Sequence, residues 1–309
     1  MDLHILDCSN YIYAGSFSNK VISRGVVETN SEYSAKKAPI GGVRFLLKQI
    51  SRMMNSNSDI MPVFDRRPEI KKEMYKTAYG YDGYKANRPA KRIVITGQQA
   101  YAERILRDLG FPVQAVDGYE ADDVIYSLVK YYKDDYERIY IHTKDSDLYF
   151  LIDTNVSIAK VGDQGKDIDI YSYSAMVKSD EDTLYNTVHL RKLCRGDVSD
   201  NIPGVGWDFA NKIDAIVHTN EYAKFGDLDL CREYIKRVVT ENPTMIGGHT
   251  ILSTFNILCP LLISYDELED TAEDIDKDKW DYYMSDWNLN KDKWGLENML
   301  TEYIDSYYE

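Results

Sequence analysis

The stretch DGYEADDV at residues 117–124 places three carboxylates within four positions, where an apolar run begins. That run has helical spacing, so Glu120, Asp122 and Asp123 fall in or near the first turn of a predicted helix. Acids at a helix start interact favourably with the helix dipole, by roughly 0.3–1 kcal/mol each. Three like charges this close also repel one another. The rest of the chain must show whether they only start a helix or also bind a cation.

Short apolar runs alternate with helical segments along the first half of the chain. Strands are predicted at 3–7, 60–65, 111–116, 138–143 and 156–161, and helices at 43–54, 99–109, 121–132 and 145–151. This alternation favours an α/β fold with a parallel central sheet flanked by helices. After about residue 180 the pattern changes to short helices and turns, which predicts a sheet domain over 1–180 and a helical part over 181–309.

Carboxylates follow four of the predicted strands. They are Asp7, Asp65, the group Glu120, Asp122 and Asp123, and the pair Asp145 and Asp147. In an open parallel sheet, ligands bind beyond the carboxyl ends of the strands, so these seven acids are expected at one edge. Such a cluster strains the fold or stays partly protonated unless a cation neutralises it.

The type of these ligands indicates which cation they would bind. Oxygen donors without His or Cys suit Mg²⁺ or Mn²⁺. So many carboxylates predict two ions roughly 3.5–4 Å apart, as in enzymes that split phosphodiesters. Each acid taken alone also has a structural explanation, because Asp7 or Asp65 could cap a helix and Asp145 with Asp147 could form a turn.

The charge is distributed unevenly along the chain. The 309 residues carry a net charge of −14, which taken alone disfavours nucleic acid. Residues 66–92, however, hold nine basic and three acidic side chains with tyrosines between them, whereas residues 266–281 hold nine acids and two lysines. Lys and Arg suit phosphate and tyrosine rings can stack on bases, so the basic segment predicts contact with a nucleic-acid strand. The candidate residues are Lys71, Lys72, Lys76, Tyr84, Lys85, Arg88, Lys91 and Arg92.

The spacing of cysteines and histidines and the hydropathy argue against several classes of protein. The four cysteines form no CxxC pair and the five histidines form no HxxxH pair, which argues against a disulfide framework or a zinc site. No secretory signal and no apolar stretch near 18 residues stand out, so a protein of the cytoplasm is expected, the host's if the chain is phage-encoded, with no membrane association.

Five motifs, in this order along the chain, resemble those of the 5′ nucleases. They are FD at 64–65, YKANR at 84–88, GYEADD at 118–123, TKDSDL at 143–148 and GDVSDNIPGV at 196–205. The family includes phage ribonuclease H and 5′→3′ exonucleases, flap endonucleases and the 5′-nuclease domain of bacterial DNA polymerase I. The resemblance covers roughly residues 3 to 260. It implies a PIN-like nuclease domain over 1–180, followed over 181–309 by a helix-hairpin-helix-type module of three helices and an acidic tail.

The resemblance also implies roles for individual residues. The first metal group would be Asp7, Asp65, Glu120, Asp122 and Asp123, and the second Asp145, Asp147, Asp197 and Asp200. The basic segment, about 66–98, would form an arch for a single-stranded 5′ end. Lys85 would lie beside the scissile phosphate and Arg88 would bind phosphate, while Gly204, Gly206 and Lys212 would contact the duplex.

The implied activity is Mg²⁺-dependent cleavage of DNA or RNA–DNA that carries a free 5′ end, flap or nick. Primer removal during replication is the role expected for it, by a monomer that could work with a single-strand-binding or replication protein.

One turn departs from the family pattern. The family continues after GDVSDNIPGV with the form GIGxKTA, whereas this chain reads GWDFANKI at 206–213. Bulky Trp207 and Phe209 hinder close approach of the backbone, and Asp208 repels phosphate. The potassium ion that several members bind here is therefore left open, with Lys212 as a compensating phosphate contact.

Other functions explain fewer of the residues. A Toprim-type metal nuclease has a glutamate before a DxD pair, but it leaves Asp7, Asp65 and GDVSDN unexplained. A haloacid-dehalogenase-type phosphatase needs DxD after the first strand, where this chain has Ser9. A non-catalytic structure-specific nucleic-acid-binding protein would not need all nine acids.

Overall fold

The structure is a computed structural model that describes residues 1–18, 41–54, 58–86, 93–161, 168–172, 228–241, 248–268, 275–276 and 278–280. Its centre is a five-stranded sheet with strand order β2-β1-β3-β4-β5. The strands are β1 (Asp2–Asp7), β2 (Ser58–Val63), β3 (Arg138–His142), β4 (Val156–Val161) and β5 (Ile168–Tyr171). The first four run parallel and confirm the predicted parallel sheet, while β5 is antiparallel to β4 at the edge.

Helices surround the sheet and connect its strands. They are α1 (Cys8–Ser18), α2 (Gly41–Met53), α3 (Glu69–Tyr79), α4 (Ile93–Asp108), α5 (Ala121–Tyr132), α6 (Leu228–Glu241) and α7 (Gly248–Leu258). Short 3₁₀ helices lie at Ser146–Leu151 and Tyr265–Glu267. None of the described helices is both long and apolar enough to span a bilayer.

Both faces of the sheet are covered by helices, so β1 buries apolar side chains on either face. Leu3 and Ile5 pack in one buried cluster with α5, α6 and α7. Leu6 packs in a second cluster with α1, α2 and α4. Helices pressing on both faces leave the carboxyl-end edge as the place where polar side chains can gather.

The register brings the ends of the central strands level with one another. Asp7 pairs with Val63 of β2, and Leu6 pairs with His142 of β3. The residues that directly follow β1, β2 and β3 therefore emerge side by side.

One predicted strand is wrong. Residues 111–116 form a single parallel bridge, Val63 to Gln114, instead of a strand of the sheet. Gln114 N donates to the Pro62 carbonyl at 2.8 Å and Phe64 N donates to the Gln114 carbonyl at 2.9 Å. Pro112 has no N–H to extend the pairing. The segment nevertheless leads the chain to the edge beside β2, so the group at 120–123 still arrives there.

The sequence-based boundaries miss other elements. Helices α1 and α3 and strand β5 were not expected, α4 begins earlier than predicted, and residues 146–151 form a 3₁₀ helix. Of the predicted C-terminal module, helices α6 and α7 are described and pack against each other. In the acidic tail, Trp280 packs against Phe111 with ring centroids 5.9 Å apart.

Candidate active site

Asp7 lies at the centre of the acidic edge and is 5% exposed. Its Oδ1 accepts a hydrogen bond from Asn10 N at 3.0 Å, and its Oδ2 accepts one from Thr143 Oγ1 at 2.9 Å. Thr143 Oγ1 in turn accepts from Asp145 N at 3.0 Å. The ends of β1 and β3 are thus tied together through side chains.

Asp145 and Asp65 have partners that fix them at the same edge. Asp145 Oδ1 accepts from Asp147 N at 3.0 Å, so Asp145 caps the 3₁₀ helix that begins at Ser146. Asp65 Oδ1 accepts from Ala121 N at 3.0 Å, at the start of α5. These contacts orient both residues, and for Asp145 they match the turn that the sequence also allowed.

The acids of this edge act on one another electrostatically. Burial, then Asp65 and then Asp145 raise the pKa of Asp7 to about 7, against the lowering effect of its two hydrogen bonds. Burial raises the pKa of Asp122 well above its usual value, and Asp145, Glu120 and Asp7 add to this. Acids that are remote in sequence therefore share one field of negative charge.

Glu120, the residue just before α5, is instead surrounded by donors. Tyr84 Oη donates to Glu120 Oε2 at 3.0 Å, Lys71 Nζ lies 3.4 Å from the same oxygen, and Lys85 Nζ pairs with Oε1. Burial opposes ionisation, but Lys71 and Lys85 outweigh it and lower the pKa of Glu120 to about 2.

Asp123 is buried, and both of its carboxylate oxygens contact other groups of the protein. Oδ2 accepts from Glu120 N at 3.0 Å. Oδ1 accepts from Leu261 N at 2.8 Å and lies 2.8 Å from Lys71 Nζ. Of the acids predicted to bind metal, Asp123 is the one whose described partners are a lysine and two backbone amides.

Across the described ranges, no three side chains of His, Cys, Asp or Glu form a group that could hold a metal ion. Two of the predicted ligands, Asp197 and Asp200, lie outside those ranges. The chemistry of the described donors still suits a hard divalent cation, because all are oxygens. The raised pKa values of Asp7 and Asp122 also show negative charge that a bound cation would neutralise.

Within the predicted basic segment, Lys85 has an unusual backbone. It adopts φ 57°, the left-handed region, which costs a residue with a side chain roughly 1–2 kcal/mol. Its ammonium lies 5.1 Å from the centroid of the Tyr84 ring. Such strain is found at functional sites more often than elsewhere, where surrounding contacts hold it in place.

The remaining predicted nucleic-acid contacts divide into two groups. Lys72 and Lys76 lie on the outer side of α3, which ends at Gly80 in a left-handed cap. Lys71 and the Tyr84 ring are buried, 3% and 4% exposed, and both side chains contact Glu120. The other predicted contacts lie outside the described residues: Arg88, Lys91, Arg92, Gly204, Gly206 and Lys212.

The sequence reasoning missed Thr143, Ser9 and Asn10. Ser9 Oγ accepts from Asp65 N at 3.1 Å, and Asn10 N and Thr143 Oγ1 hold Asp7. Their signal in the sequence is position: each lies within three residues of Asp7 or Asp145, at or just beyond the carboxyl end of a predicted strand.

Comparison with known proteins gives the family and the fold of this chain. A family profile described as 5′-3′ exonuclease, N-terminal resolvase-like domain, matches residues 2–180. DNA polymerase I of Caldicellulosiruptor bescii is 34% identical over 66% of this chain and 23% of its own length. A 5′-3′ exonuclease of Buchnera aphidicola is 28% identical over 65% of this chain and 64% of its own length. The chain thus spans less than two thirds of either relative.

Solved structures share the fold. The D15 protein of bacteriophage T5, co-crystallised with metal ions, aligns over 99% of both chains with a TM-score of 0.55 and 15% identity. The T5 5′-exonuclease with bound zinc aligns over 99% of both chains with a TM-score of 0.52 and 16% identity.

The domain is therefore of the α/β class, with an open sheet and acidic residues beyond the carboxyl ends of its parallel strands. The chain belongs to the 5′ nuclease family, through a 5′-3′ exonuclease N-terminal domain that covers residues 2–180.

Proposed function

We propose that this protein is a divalent-metal-dependent 5′ nuclease that hydrolyses phosphodiester bonds in DNA or RNA–DNA with a free 5′ end, flap or nick. The observation that carries the proposal is the acidic edge, in which burial and then the neighbouring carboxylates of Asp65 and Asp145 raise the pKa of Asp7. A fold that collects this much negative charge at the carboxyl ends of its strands gains stability from a bound cation. Family membership supports the same reading, since the relatives carry the names 5′-3′ exonuclease and DNA polymerase I.

Two Mg²⁺ or Mn²⁺ ions fit the number of acids. The first set would comprise Asp7, Asp65, Glu120 and Asp122. It omits Asp123 of the implied set, whose oxygens already have a lysine and two backbone amides as partners. The second set would comprise Asp145 and Asp147, with Asp197 and Asp200 from outside the described residues. Bound divalent ions supply the acidity that activates water and the positive charge that stabilises the leaving oxygen.

The described side chains would prepare the site for this chemistry. Thr143 and Asn10 hold both oxygens of Asp7 in place, and Ala121 N holds Asp65. Lys85 pairs with Glu120 in the free protein. With Glu120 as a metal ligand, the ammonium of Lys85 would be available to a phosphate oxygen.

Cleavage of a 5′-labelled flap or nicked duplex with Mg²⁺ tests the proposal. Asp145→Asn should abolish cleavage and retain binding of the substrate. Asp134→Asn, at an exposed acid between the end of α5 and the start of β3, should cleave normally. Full activity of Asp145→Asn would refute the site. Binding without turnover in the unmodified protein would instead identify a non-catalytic nucleic-acid-binding protein.

Primer removal during replication is the biological role we propose for this activity. It requires hydrolysis of a 5′ RNA segment from a nicked RNA–DNA duplex. Comparing cleavage of matched RNA and DNA flaps measures this preference, and a protein that leaves every RNA flap intact would not serve as a primer-removing nuclease.

A further inference from the structure

The carboxylate of Asp123 takes part in three contacts, all within the protein. It accepts from the backbone N–H of Glu120 at 3.0 Å and from that of Leu261 at 2.8 Å. Lys71 Nζ lies 2.8 Å from Oδ1. An ionised carboxylate offers about four acceptor positions. Glu120 also has three donors, but its side chain is 13% exposed and that of Asp123 only 1%, so Asp123 has less room for a further ligand.

Lys71 lies between two carboxylates and is almost completely buried, with 3% of its side chain exposed. It is closer to Asp123, at 2.8 Å, than to Glu120, at 3.4 Å. A buried ammonium needs a partner of opposite charge, because desolvation costs several kcal/mol per ion. If Asp123 turned to a metal ion, Lys71 would keep only the longer of its two described ion pairs, the one with Glu120.

We propose that Asp123 is a positioning residue that binds no ion: it neutralises Lys71 and fixes the backbone of Glu120, and so keeps the Glu120 carboxylate in position to bind a metal ion. This inference rests on the proposed metal role of Glu120. It replaces the ligand role that the resemblance assigns to Asp123.

Three separate parts of the chain converge on this carboxylate. Lys71 belongs to α3, Glu120 precedes α5, and Leu261 follows α7. Asp123 therefore sets the position of Glu120 relative to α3 and to the segment after α7. Its partner Lys71 comes from the first helix of the basic segment, so the acidic edge and that segment share one buried ion pair.

The proposal predicts that a mutation at Asp123 weakens metal binding. In Asp123→Asn, Lys71 loses the negative charge of its closer partner, and Glu120 becomes the carboxylate nearest to it. The Glu120 carboxylate is then held more strongly by Lys71, and with the amide nitrogen in the place of Oδ2 the Glu120 N–H loses its acceptor. Both effects weaken metal binding, by about 10-fold, the lower end of what loss of a ligand's supporting partner costs.

A double-mutant cycle on Mn²⁺ affinity, measured by electron paramagnetic resonance of the free ion, tests this directly. Asp123→Asn should weaken affinity in the unmodified protein and have less than about a twofold effect when Glu120 is already Gln. An independent ligand at Asp123 would lower affinity in both backgrounds. A purely structural Asp123 would lower the melting temperature and change Mn²⁺ affinity in neither. Either of these two results overturns the proposal.

Removing the lysine provides a second test that does not depend on a buried unpaired charge. The double variant Lys71→Met, Asp123→Asn should bind Mn²⁺ within about threefold of the unmodified protein, because the unpaired ammonium is gone. Affinity as weak as that of Asp123→Asn alone would contradict it. Unchanged Mn²⁺ affinity in Glu120→Gln would instead show that the proposed function fails at Glu120, which separates the two failures.

Discussion

Thr143 and Asp7 are joined by a hydrogen bond of 2.9 Å from the threonine hydroxyl to a carboxylate oxygen, in a place where both side chains are buried. The same hydroxyl accepts from the Asp145 backbone. A single side chain thus orients two of the acids proposed to bind metal, and does so from the end of β3, which neighbours β1.

Replacing Thr143 with Val should therefore affect both ionisation and stability. The bond to Asp7 lowers the pKa of that carboxyl, so its loss raises the pKa further and shifts metal binding to higher pH. An unsatisfied buried acceptor also costs about 1–3 kcal/mol of unfolding free energy. Mn²⁺ affinity measured from pH 5 to 9 checks the shift. Thr143→Ser, which keeps the hydroxyl, is the control and should follow the unmodified protein; equal profiles for Val and Ser would contradict the prediction.

The raised pKa of Asp7 predicts a definite pH dependence of folding without metal. Its folded-state pKa is about 7 and its usual value 3.8. The folded state holds this proton more tightly, so the contribution of Asp7 to unfolding free energy falls as pH rises from about 4 to about 7 and stays low above that. Asp7→Asn should remove this slope and be more stable than the unmodified protein at pH 8, by as much as ~4 kcal/mol from the roughly three-unit shift. Denaturant unfolding of metal-free protein at pH 4, 6 and 8 measures both. A difference between the two proteins that does not change with pH would exclude an uncompensated carboxylate at Asp7.

Bound metal should stabilise the protein more at high pH than at low pH. Divalent ions bind the deprotonated carboxylates, so binding releases protons and weakens as pH falls below the pKa of Asp7, near 7. Chelation should therefore lower the melting temperature strongly at pH 8 and little at pH 5. Thermal scans with Mg²⁺ or with chelator at the two pH values check this. Equal shifts at both values would argue that the ion binds elsewhere, and Asp7→Asn supplies the control because its Mg²⁺ stabilisation should be small at both.

Lys85 and Lys76 belong to the same basic segment and should behave differently. Lys85 holds strained left-handed backbone and contacts Glu120, whereas Lys76 is exposed on α3. Lys85→Ala should lower kcat by about 10²–10³, the usual cost of one transition-state charge contact, with little change in KM. Lys76→Ala should weaken binding of the nucleic acid and leave kcat unchanged. The slope of log affinity against log salt concentration should fall in magnitude by about one, as expected for the loss of one phosphate contact. Steady-state cleavage at several salt concentrations measures both. Matching profiles for the two variants would remove Lys85 from the reacting centre.

The sequence predicts the sheet well where apolar runs are flanked by polar residues. The prediction 156–161 coincides with β4, and 138–143 ends one residue beyond β3. The prediction fails where contacts with residues distant in sequence determine the structure. Residues 111–116 are as apolar as a strand but pair with the sheet through only one bridge, at Gln114. Helix α1 could not be predicted from the sequence. Tyr11, Ile12 and Cys8 are all buried, so the helix has no clear polar face and its sequence shows no helical period.

The candidate active site, too, is predictable from the sequence only in part. Asp7, Asp65 and Asp145 could be placed at one edge because each follows an apolar run, and parallel strands deliver their ends together. Burial of Lys71 could not be predicted, since a lysine in a basic segment looks like a phosphate contact until its neighbours in space are known. Only the fold shows that Asp123 lies 2.8 Å from it.

The tyrosines of the basic segment give the last prediction, because their exposure separates packing from binding. Tyr75 is fully buried between Tyr79 and Tyr84, and its hydroxyl donates to that of Tyr81 at 2.8 Å, while Tyr81 is 49% exposed. Tyr81→Ala should weaken binding of a single-stranded 5′ end by about 1–3 kcal/mol, the value of one base stacked on an aromatic ring. Tyr75→Phe keeps the packed ring and should leave binding unchanged, whereas Tyr75→Ala should cost about 3–5 kcal/mol of unfolding free energy through the cavity it leaves. Fluorescence titration with a labelled oligonucleotide, alongside denaturant unfolding, distinguishes these effects. Unchanged binding in Tyr81→Ala would mean that the strand passes this part of the segment without stacking on it.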